Sequence, residues 1–364
     1  MTRSKVSAQP SVAVVGGGIN GLCCAWQLSL RGASVTLFEA GQLTGGADAE
    51  ALHLMQSGLH SLGYGDLRVA REALLERSWW LQHCPEHCRE IDFLIPIYAH
   101  TPPSQWLMNA RLATCHLLSG LTKLSGYRWM DRAALLATEP ELKSGQLLGG
   151  FSYSEVRMDE QRLGEWVAQQ ARAAGAQLLE NVAVERVHRD GSLELGGQRH
   201  RFTAVVNATG PQAGRLLERS GLRSKPRLAM MRCSQVLLAG GPHQPCTLQT
   251  RGSERYLYVQ PHGDHTLIGS TERLQGLDDP VTTAPEDIDY LLKCYNRCFT
   301  RQKSTADVVG TTSGIRPMLR LAGSRNRLNY NYLIERQQGL LTVYGGQWTT
   351  ARALGAKVAD NILP

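Results

Sequence analysis

The sequence predicts an α/β fold with two lobes, the second of the α+β kind, and three stretches carry that prediction. A strand–helix–strand unit with a glycine-rich turn occupies residues 11–39. Short strand-like stretches, separated by glycine, proline and histidine, fill residues 227–271 and predict a mixed or antiparallel sheet. A strand, a glycine pair and a helix occupy residues 339–362. We therefore expect one lobe that binds a nucleotide and a second lobe inserted into it.

The first unit contains each part of a dinucleotide-binding fingerprint in the expected order. Residues 11–15 include three valines, whose β-branched side chains face both sides of the strand, as in a parallel strand buried on both faces. In the turn that follows, Gly16 permits the tight bend, Gly18 lets a pyrophosphate approach the backbone, and Gly21 lets the helix pack closely. Glu39 ends the second strand, where a carboxylate accepts hydrogen bonds from a ribose. These residues predict a Rossmann-type domain.

Two questions about this fingerprint stay open at the level of the motif. A glycine-rich turn in an ordinary α/β protein is the competing interpretation, although the order and spacing of the parts favour nucleotide binding. The motif also does not distinguish a flavin from a nicotinamide dinucleotide. Its position at the N-terminus of a long chain is associated with FAD enzymes, which is an argument by analogy between folds.

The following elements alternate between helices and strands. Residues 67–83 place apolar side chains at helical spacing, with Arg and Glu on the other side. A strand is expected over 93–98, a helix over 106–118 and an amphipathic helix over 159–174. Residues 204–211 predict a buried strand that ends in a glycine, where the nucleotide-binding lobe resumes.

The last part of the chain predicts a surface helix over 285–299, a strand over 339–344 and a closing helix over 348–362. We expect a discontinuous cofactor domain and a substrate domain between its parts. The expected cofactor domain comprises residues 1–65, 145–220 and 305–364, and the expected substrate domain comprises residues 66–144 and 221–304.

Composition excludes several classes of protein. The 364 residues are 42% hydrophobic and 20% charged, which is ordinary for a soluble globular chain. No stretch is long enough to span a bilayer, and residues 1–10 lack the apolar segment of a secretory signal. We expect a cytoplasmic protein, with peripheral membrane association left open. The net charge of +7 comes from scattered residues, so we expect an anionic small molecule as partner and no nucleic acid.

The nine cysteines are expected to be reduced thiols, because their number is odd and no export signal is present. Cys84 with Cys88 and Cys294 with Cys298 are each four residues apart. Neither pair has the spacing of a zinc knuckle, so we expect no metal site.

Taken together, the motifs resemble the FAD-dependent glycerol-3-phosphate dehydrogenase family, within the D-amino-acid-oxidase-like flavoproteins. The resemblance implies a cofactor domain with bound FAD and a mixed sheet over the flavin. The matching stretches, in the order of the family, are residues 16–21 with Glu39, 57–62, 66–74, 207–211, 267–271, 313–317 and 345–352. Beyond the fingerprint, the residues implied to contact FAD are Ala208, Thr209, Gly210, Gly314, Gly345, Gly346, Gln347, Trp348 and Thr349.

The sequence departs from the family at positions that carry charge. Where the family has a histidine and an arginine in one segment, this chain has Gln56 and His60, and Gln347 replaces a lysine. Gln235 replaces a histidine. Phosphate recognition depends on cations, and a neutral amide replaces neither a guanidinium nor an ammonium. The resemblance therefore implies an oxidoreductase whose substrate differs from glycerol 3-phosphate.

The candidate catalytic residues follow from what remains of the family pattern. Arg316 is in register with an anion-binding arginine of the family, and a structural ion pair is its competing role. His60 and His53 are candidate bases, although a lone histidine is often structural. Tyr258 is a candidate donor to a substrate oxygen, and Gln347 is included because it occupies the lysine position. We expect hydride transfer from a CH–OH or CH–NH group to the flavin.

Two other functions stay open in the sequence. One is a catalytically degenerate flavin-binding protein, or a subunit that needs a partner to complete its site. The other is a tRNA-modifying flavoenzyme, which the scattered basic residues disfavour. The electron acceptor is equally open among oxygen, a quinone and a carrier protein.

Overall fold

The structure is a computed structural model that describes residues 9–45, 53–55, 58–59, 62, 67–99, 102–120, 126–226, 228–250, 255–320, 328–329 and 331–363. The chain folds into two compact units. Unit 1 comprises residues 1–49, 160–230 and 316–364, and unit 2 comprises residues 50–159 and 231–315.

Strands and helices are present in both units. The strands are β1 (Ser11–Val15), β2 (Ser34–Phe38), β3 (Leu54–Met55), β4 (Cys88–Tyr98), β5 (Arg128–Asp131), β6 (Leu147–Met158), β7 (Gln177–Leu179), β8 (Arg186–Val187), β9 (Ser192–Leu195), β10 (Gln198–Arg201), β11 (Ala204–Asn207), β12 (Leu228–Ala239), β13 (Cys246–Gln249), β14 (Tyr256–His262), β15 (His265–Gly269), β16 (Arg273–Gln275), β17 (Val308–Arg320), β18 (Leu328–Asn329), β19 (Tyr332–Gln337) and β20 (Leu340–Gly345). The helices are α1 (Ile19–Leu30), α2 (Leu67–His83), α3 (Gln105–Leu118), α4 (Arg132–Thr138), α5 (Glu160–Ala173), α6 (Ala213–Arg219), α7 (Pro285–Cys298) and α8 (Ala351–Ile362).

Unit 1 is built on a six-stranded sheet in the order β19-β20-β11-β1-β2-β7. β1 pairs in parallel with both β2 and β11, and β11 pairs in parallel with β20. β19 is the antiparallel exception, next to β20. Val12, Ala13 and Val14 have no exposed surface, as expected for a central parallel strand covered on both faces. The sheet confirms the predicted Rossmann-type topology.

Helices α1 and α8 approach each other closely in unit 1. A Cβ at Gly355 of α8 would lie 2.5 Å from the carbonyl oxygen of Cys23, so this contact requires glycine. Trp26 of α1 packs edge-on against Trp166 of α5, with ring centroids 5.6 Å apart. The first and last helices of the chain therefore form one layer, which brings the N-terminal fingerprint near the closing turn.

Unit 2 is built on a larger sheet with strands in the order β17-β12-β15-β14-β13-β4-β6-β3. β12 pairs with β15, and β14 with both β13 and β15, in antiparallel fashion. β4 and β3 each pair antiparallel with β6, whereas β13 and β4 are parallel. The sheet is therefore mixed, as predicted for the second lobe.

The two faces of this sheet carry separate apolar clusters. On β14, Leu257 and Val259 belong to the cluster that includes Leu291 and Tyr295 of α7. Tyr256 and Tyr258 alternate with them and belong to the other cluster, which includes Met108 and Leu112 of α3. Burying each large apolar side chain contributes about 1.5–3 kcal/mol, so both helical layers stabilise the sheet substantially.

The charged side of α2 differs from the prediction. Arg68 and Arg71 are exposed as expected, but Glu76 and Arg77 are buried. The Arg77 guanidinium lies 3.3 Å from the carboxylate of Glu155 in β6, and it donates to the carbonyl of Ser154 at 3.0 Å. The periodicity of α2 could not reveal this contact, because β6 follows about eighty residues later in the chain.

The compact units begin and end at positions other than the predicted domain boundaries. The predictions were 65, 144, 220 and 304, whereas the units change after residues 49, 159, 230 and 315. β6 explains the second difference, because it pairs with β4 from Cys88 to Tyr98 and so belongs to unit 2.

Two further observations concern predictions made from composition. All nine cysteines lie within the described residues, where each is buried and none forms a disulfide. In the described part of the chain, no helix is both long and apolar enough to cross a membrane.

Candidate functional site

The turn between β1 and α1 has the shape that the fingerprint requires. Gly16 adopts φ +106°, and a Cβ there would lie 2.6 Å from the carbonyl oxygen of Ala208. A Cβ at Gly21 would overlap the carbonyl oxygen of Gly16 itself. Both positions therefore exclude any side chain. At Gly16 the clash is with the segment that follows β11, and at Gly21 it is between the helix and the turn before it.

The N-terminus of α1 is open to an anion. Gly18 is its N-cap with extended backbone, no side chain caps it, and its first turn carries no acidic residue. The first N–H groups of a helix have no partner within the helix, and the helix dipole adds positive potential there. A pyrophosphate supplies the acceptors and the negative charge that this terminus lacks.

Glu39 is anchored at the end of β2 by backbone donors. One carboxylate oxygen accepts from the Gly17 N–H at 2.6 Å, and the other accepts from the Gly41 N–H at 2.8 Å. Each carboxylate oxygen has more than one lone-pair site, so both keep capacity to accept from ribose hydroxyls. A contact with ribose stays a prediction.

Asn207 organises the segment that follows β11, and it is not among the predicted site residues. It is fully buried, and its amide donates to the carbonyl of Ala213 at 3.1 Å. Its side-chain oxygen accepts from the Thr209 hydroxyl at 2.7 Å. Gly210 follows with φ +55°. The signal was an amide at the end of an apolar strand, because such a group, when buried, must hydrogen-bond to its own loop or to a ligand.

The closing turn lies against the first helix of unit 1. The Asn20 amide donates to the carbonyl of Gly345 at 3.3 Å. Gly345 and Gly346 have φ +71° and +101°, and a Cβ at Gly346 would lie 2.6 Å from the Asn20 amide nitrogen. Because the carboxyl ends of β1, β2, β11 and β20 meet at one edge, these segments form a single cradle at that edge.

Two polar atoms of the cradle are buried and have no hydrogen-bond partner among the described residues. They are the side-chain oxygen of Asn20 and the indole nitrogen of Trp348. A buried polar group without a partner costs about 1–3 kcal/mol, so such groups mark places where a ligand or water completes the network. The Asn20 oxygen accepts a hydrogen bond and the Trp348 N–H donates one. A cofactor that carries both donors and acceptors could pair with them.

The segment after the cradle begins its helix later than predicted. The sequence predicts a start at Trp348, whereas α8 begins at Ala351 after a turn over residues 348–350. The Thr350 N–H donates to the carbonyl of Gln347 at 3.2 Å, which closes this turn. Thr349 is buried, and Gln347 is half-buried.

The candidate catalytic residues are distributed over both units. Arg316 is half-buried on β17 in unit 1, and Gly314 lies on the same strand in unit 2. His53 is half-buried in unit 2, where its carbonyl accepts from the Met158 N–H at 2.9 Å. His60 lies outside the described residues, as does Gln56.

Tyr258 lies inside the apolar cluster on the α3 side of the unit 2 sheet. It is 2% exposed, and its ring packs edge-on against Phe93 with centroids 5.7 Å apart. Burial, and then the negative charge of Glu155, raise the pKa of its hydroxyl well above the ordinary value of 10.0. The phenol is therefore a neutral donor near neutral pH, and its contact with a substrate stays a prediction.

The comparisons with known proteins agree with the prediction that this chain is a flavoprotein. A family model described as FAD-dependent oxidoreductase (DAO) matches residues 11–361. The chain belongs to this family. The predicted resemblance, the predicted cofactor FAD and the predicted enzyme class are thereby confirmed.

Curated relatives of this FAD-dependent oxidoreductase include enzymes named for polyol phosphates. It is 30% identical over 374 residues to glycerol-3-phosphate dehydrogenase of Pseudomonas tolaasii. The aligned region covers 97% of this chain and 71% of that protein. It is 29% identical over 368 residues to D-erythritol 1-phosphate dehydrogenase of Brucella abortus. That alignment covers 94% of this chain and 72% of the relative.

Solved structures support the fold. The glycerol-3-phosphate dehydrogenase of Bacillus halodurans with FAD matches with a TM-score of 0.75 and 22% identity, over 98% of this chain and 64% of that one. The glycine oxidase of Geobacillus kaustophilus matches with a TM-score of 0.72 and 21% identity, over 98% and 95%. This chain therefore spans less than two thirds of the first of these structures and nearly all of the second.

FAD fits the residues of unit 1. The uncapped start of α1 suits its pyrophosphate, and Glu39 suits its ribose. The unpartnered atoms of Asn20 and Trp348 supply one acceptor and one donor at the same edge. Because the glycine positions also exclude side chains there, this family's cofactor has both the space and the polar groups it needs.

Proposed function

We propose that this FAD-dependent oxidoreductase oxidises the CH–OH or CH–NH group of a small anionic substrate other than glycerol 3-phosphate. The observation that carries the proposal is the position of Gln347 directly after the glycine pair of the cradle, where the family pattern has a lysine. An intact cofactor cradle therefore adjoins a neutral amide instead of a cation. A dianionic phosphate loses a charge-assisted contact by this change, whereas a carboxylate depends on it less.

Arg316 is the residue that we assign to the anionic group of the substrate. A guanidinium binds a carboxylate through two parallel hydrogen bonds and keeps its charge at every physiological pH. Its half-buried position on β17 limits competition from water. When FAD is bound, it supplies the hydride acceptor. The task of the protein is then to orient the C–H bond and to hold the anion.

A CH–NH substrate is compatible with the missing family histidine. An alcohol must lose its proton to a base as hydride leaves, and Gln56 cannot serve as that base. An amine needs only to be in its neutral form before oxidation. His53 and His60 are the candidate bases for an alcohol substrate, and variants of these two residues separate the two substrate types.

The test is reduction of the FAD-loaded protein by candidate substrates in the absence of oxygen. The loss of flavin absorbance at about 450 nm measures the reduction. The panel contains 2-hydroxy acids, amino acids, secondary amines and glycerol 3-phosphate. We expect at least one carboxylate compound to bleach the flavin faster than glycerol 3-phosphate does. No bleaching by any compound at full FAD occupancy, or fastest bleaching by glycerol 3-phosphate, contradicts the proposal.

Two variants sharpen this test. Arg316→Gln should raise the substrate concentration needed for half-maximal bleaching about 100-fold, because a charge-assisted pair is lost. Arg320→Gln is the matched control, since Arg320 is exposed on the same strand. Gln347→Lys should increase the rate with glycerol 3-phosphate relative to the carboxylate. An unchanged ratio would show that residue 347 does not select the substrate.

A further inference from the structure

We propose that a cavity of about 360 Å³ in unit 2 binds a small organic carboxylate with an apolar body and a hydroxyl group. Its walls come from the ends of β4 and β13, the last turn of α7 and the segment 143–146. A volume in this range suits a metabolite-sized ligand. The lining residues all belong to unit 2, and none of them is among the residues that form the cofactor cradle.

The described lining of the cavity carries a positive charge. Lys143 and Arg297 are the charged members of its described lining. The Lys143 ammonium donates to the carbonyl of Asn296 at 2.6 Å, and the Arg297 guanidinium donates to the carbonyl of Gln249 at 2.6 Å. Neither cation pairs with a carboxylate within the described residues, and a carbonyl partner leaves the charge in place. An anion would supply the missing opposite charge.

The positive charges of Lys143 and Arg297 both affect the same part of the cavity wall. Burial raises the pKa of the Cys298 thiol, and the fields of Arg297 and Lys143 both oppose that rise. Cys298 is itself a lining residue, so both positive charges are felt at the cavity wall. The two side chains also reach the cavity from different elements, one from α7 and the other from the segment after α4.

An unpartnered acceptor at the end of β13 indicates the second feature of the ligand. The side-chain oxygen of Gln249 is buried and has no hydrogen-bond donor among the described residues. The backbone carbonyl of the same residue already accepts from Arg297. A ligand hydroxyl would donate to the free amide oxygen while the ligand's carboxylate faces the cations.

The remaining walls combine polar residues, such as Ser144, Gln146 and Thr300, with apolar ones. The apolar ones include the side chains of Ile95, Ile97, Leu248, Pro102 and Pro103. A fully hydrated inorganic anion would leave these surfaces against water, whereas a ligand with an aromatic or branched body covers them. The combination of two cations, one acceptor and apolar wall residues therefore favours a hydroxylated organic acid over inorganic phosphate.

The test is calorimetric titration of the FAD-loaded wild-type protein with 4-hydroxyphenylacetate as probe. Tyramine replaces the carboxylate by an ammonium, and phenylacetate lacks the hydroxyl, so they are the matched probes. We expect 4-hydroxyphenylacetate to bind at least about 10-fold more tightly than tyramine and several-fold more tightly than phenylacetate. Equal binding of tyramine, or no heat from the acid at concentrations of about 5 mM, overturns the proposal.

Variants locate the bound probe. Lys143→Gln and Arg297→Gln should each weaken binding of the acid about 10-fold, and Gln249→Leu should abolish the preference for the hydroxyl. Lys293→Gln is the control, because Lys293 is exposed on the same helix α7 outside the cavity. Unchanged affinity in both cation variants contradicts the assignment. If a cation variant does not fold, Gln249→Leu still decides, because a retained preference for the hydroxyl would place the bound acid outside this cavity.

Discussion

The side chain of Asn20 donates to the carbonyl of Gly345 at 3.3 Å, which joins two residues 325 positions apart in the chain. The bond links the first turn of α1 to the end of β20, both in unit 1. Its side-chain oxygen is buried without a partner among the described residues. One amide thus ties the two ends of the fold together and keeps a free acceptor in the cofactor cradle.

Asn20→Ala should weaken FAD binding about 10-fold and lower the free energy of unfolding by about 1–2 kcal/mol, because the Gly345 carbonyl loses its donor and the cradle loses an acceptor. Quenching of flavin fluorescence gives the affinity, and urea unfolding gives the stability. Gln9→Ala is the control, since its amide donates to the carbonyl of Gly32 at an exposed position. FAD affinity equal to wild type would remove Asn20 from the cofactor site.

Gly16→Ala should abolish FAD binding, because the new Cβ would lie 2.6 Å from a backbone carbonyl that cannot move without shifting β11. Gly32→Ala is the matched control: φ at Gly32 is also positive, at +84°, but a Cβ there meets no atom within 4 Å. We expect the control to lose about 1 kcal/mol of stability through backbone strain alone and to keep its flavin. The two variants are compared by flavin absorbance after purification. Similar flavin content in both would contradict the steric argument.

Glu155→Gln should destabilise unit 2 by about 3–5 kcal/mol, because it leaves the buried charge of Arg77 without its counterion. Arg71→Gln on the same helix as Arg77 is exposed and should change stability by less than about 0.5 kcal/mol. Replacing both members of the pair, as Arg77→Met with Glu155→Leu, should recover part of the loss, since neither charge is then buried. Chemical unfolding in urea measures all four proteins. A double variant less stable than Glu155→Gln would contradict this account of the pair.

His262 should titrate below the ordinary histidine pKa of 6.5, because partial desolvation, and then the charges of Arg157, His53 and His265, disfavour its protonated form. The unfolded chain then binds the proton more readily than the folded one does. The contribution of His262 to stability is therefore complete above pH 6.5 and is lost as the pH falls through the lower pKa of the folded state.

Arg157→Gln should raise the pKa of His262 toward the ordinary value, and Arg199→Gln should leave it unchanged because Arg199 pairs with Asp190 and is not among the charges that shift this pKa. Chemical shifts of the imidazole protons over pH 4–8 report the titration directly. A His262 pKa at or above 6.5 in the wild-type protein would contradict the expected direction.

The sequence by itself determined the cofactor lobe, because its requirements are local. The bend at Gly16, the close packing at Gly21 and the carboxylate of Glu39 all lie within one strand–helix–strand unit, and the parallel topology of that unit brings later strand ends to the same edge. The segment 207–211 and the glycine pair 345–346 then follow in chain order, so the family pattern located the cradle before any contact was known.

Only the tertiary structure decided which charges are buried and where the units end. The helical period of α2 predicts Arg77 on the polar side of the helix. Arg77 is buried because it contacts Glu155 of β6, a strand that comes much later in the chain and pairs with β4. Asp287 of α7 likewise depends on Arg232 and Arg273, which come from β12 and β16. Periodicity describes one element against an average environment, whereas burial depends on every element packed around it, and strand pairing between distant segments leaves no local signal.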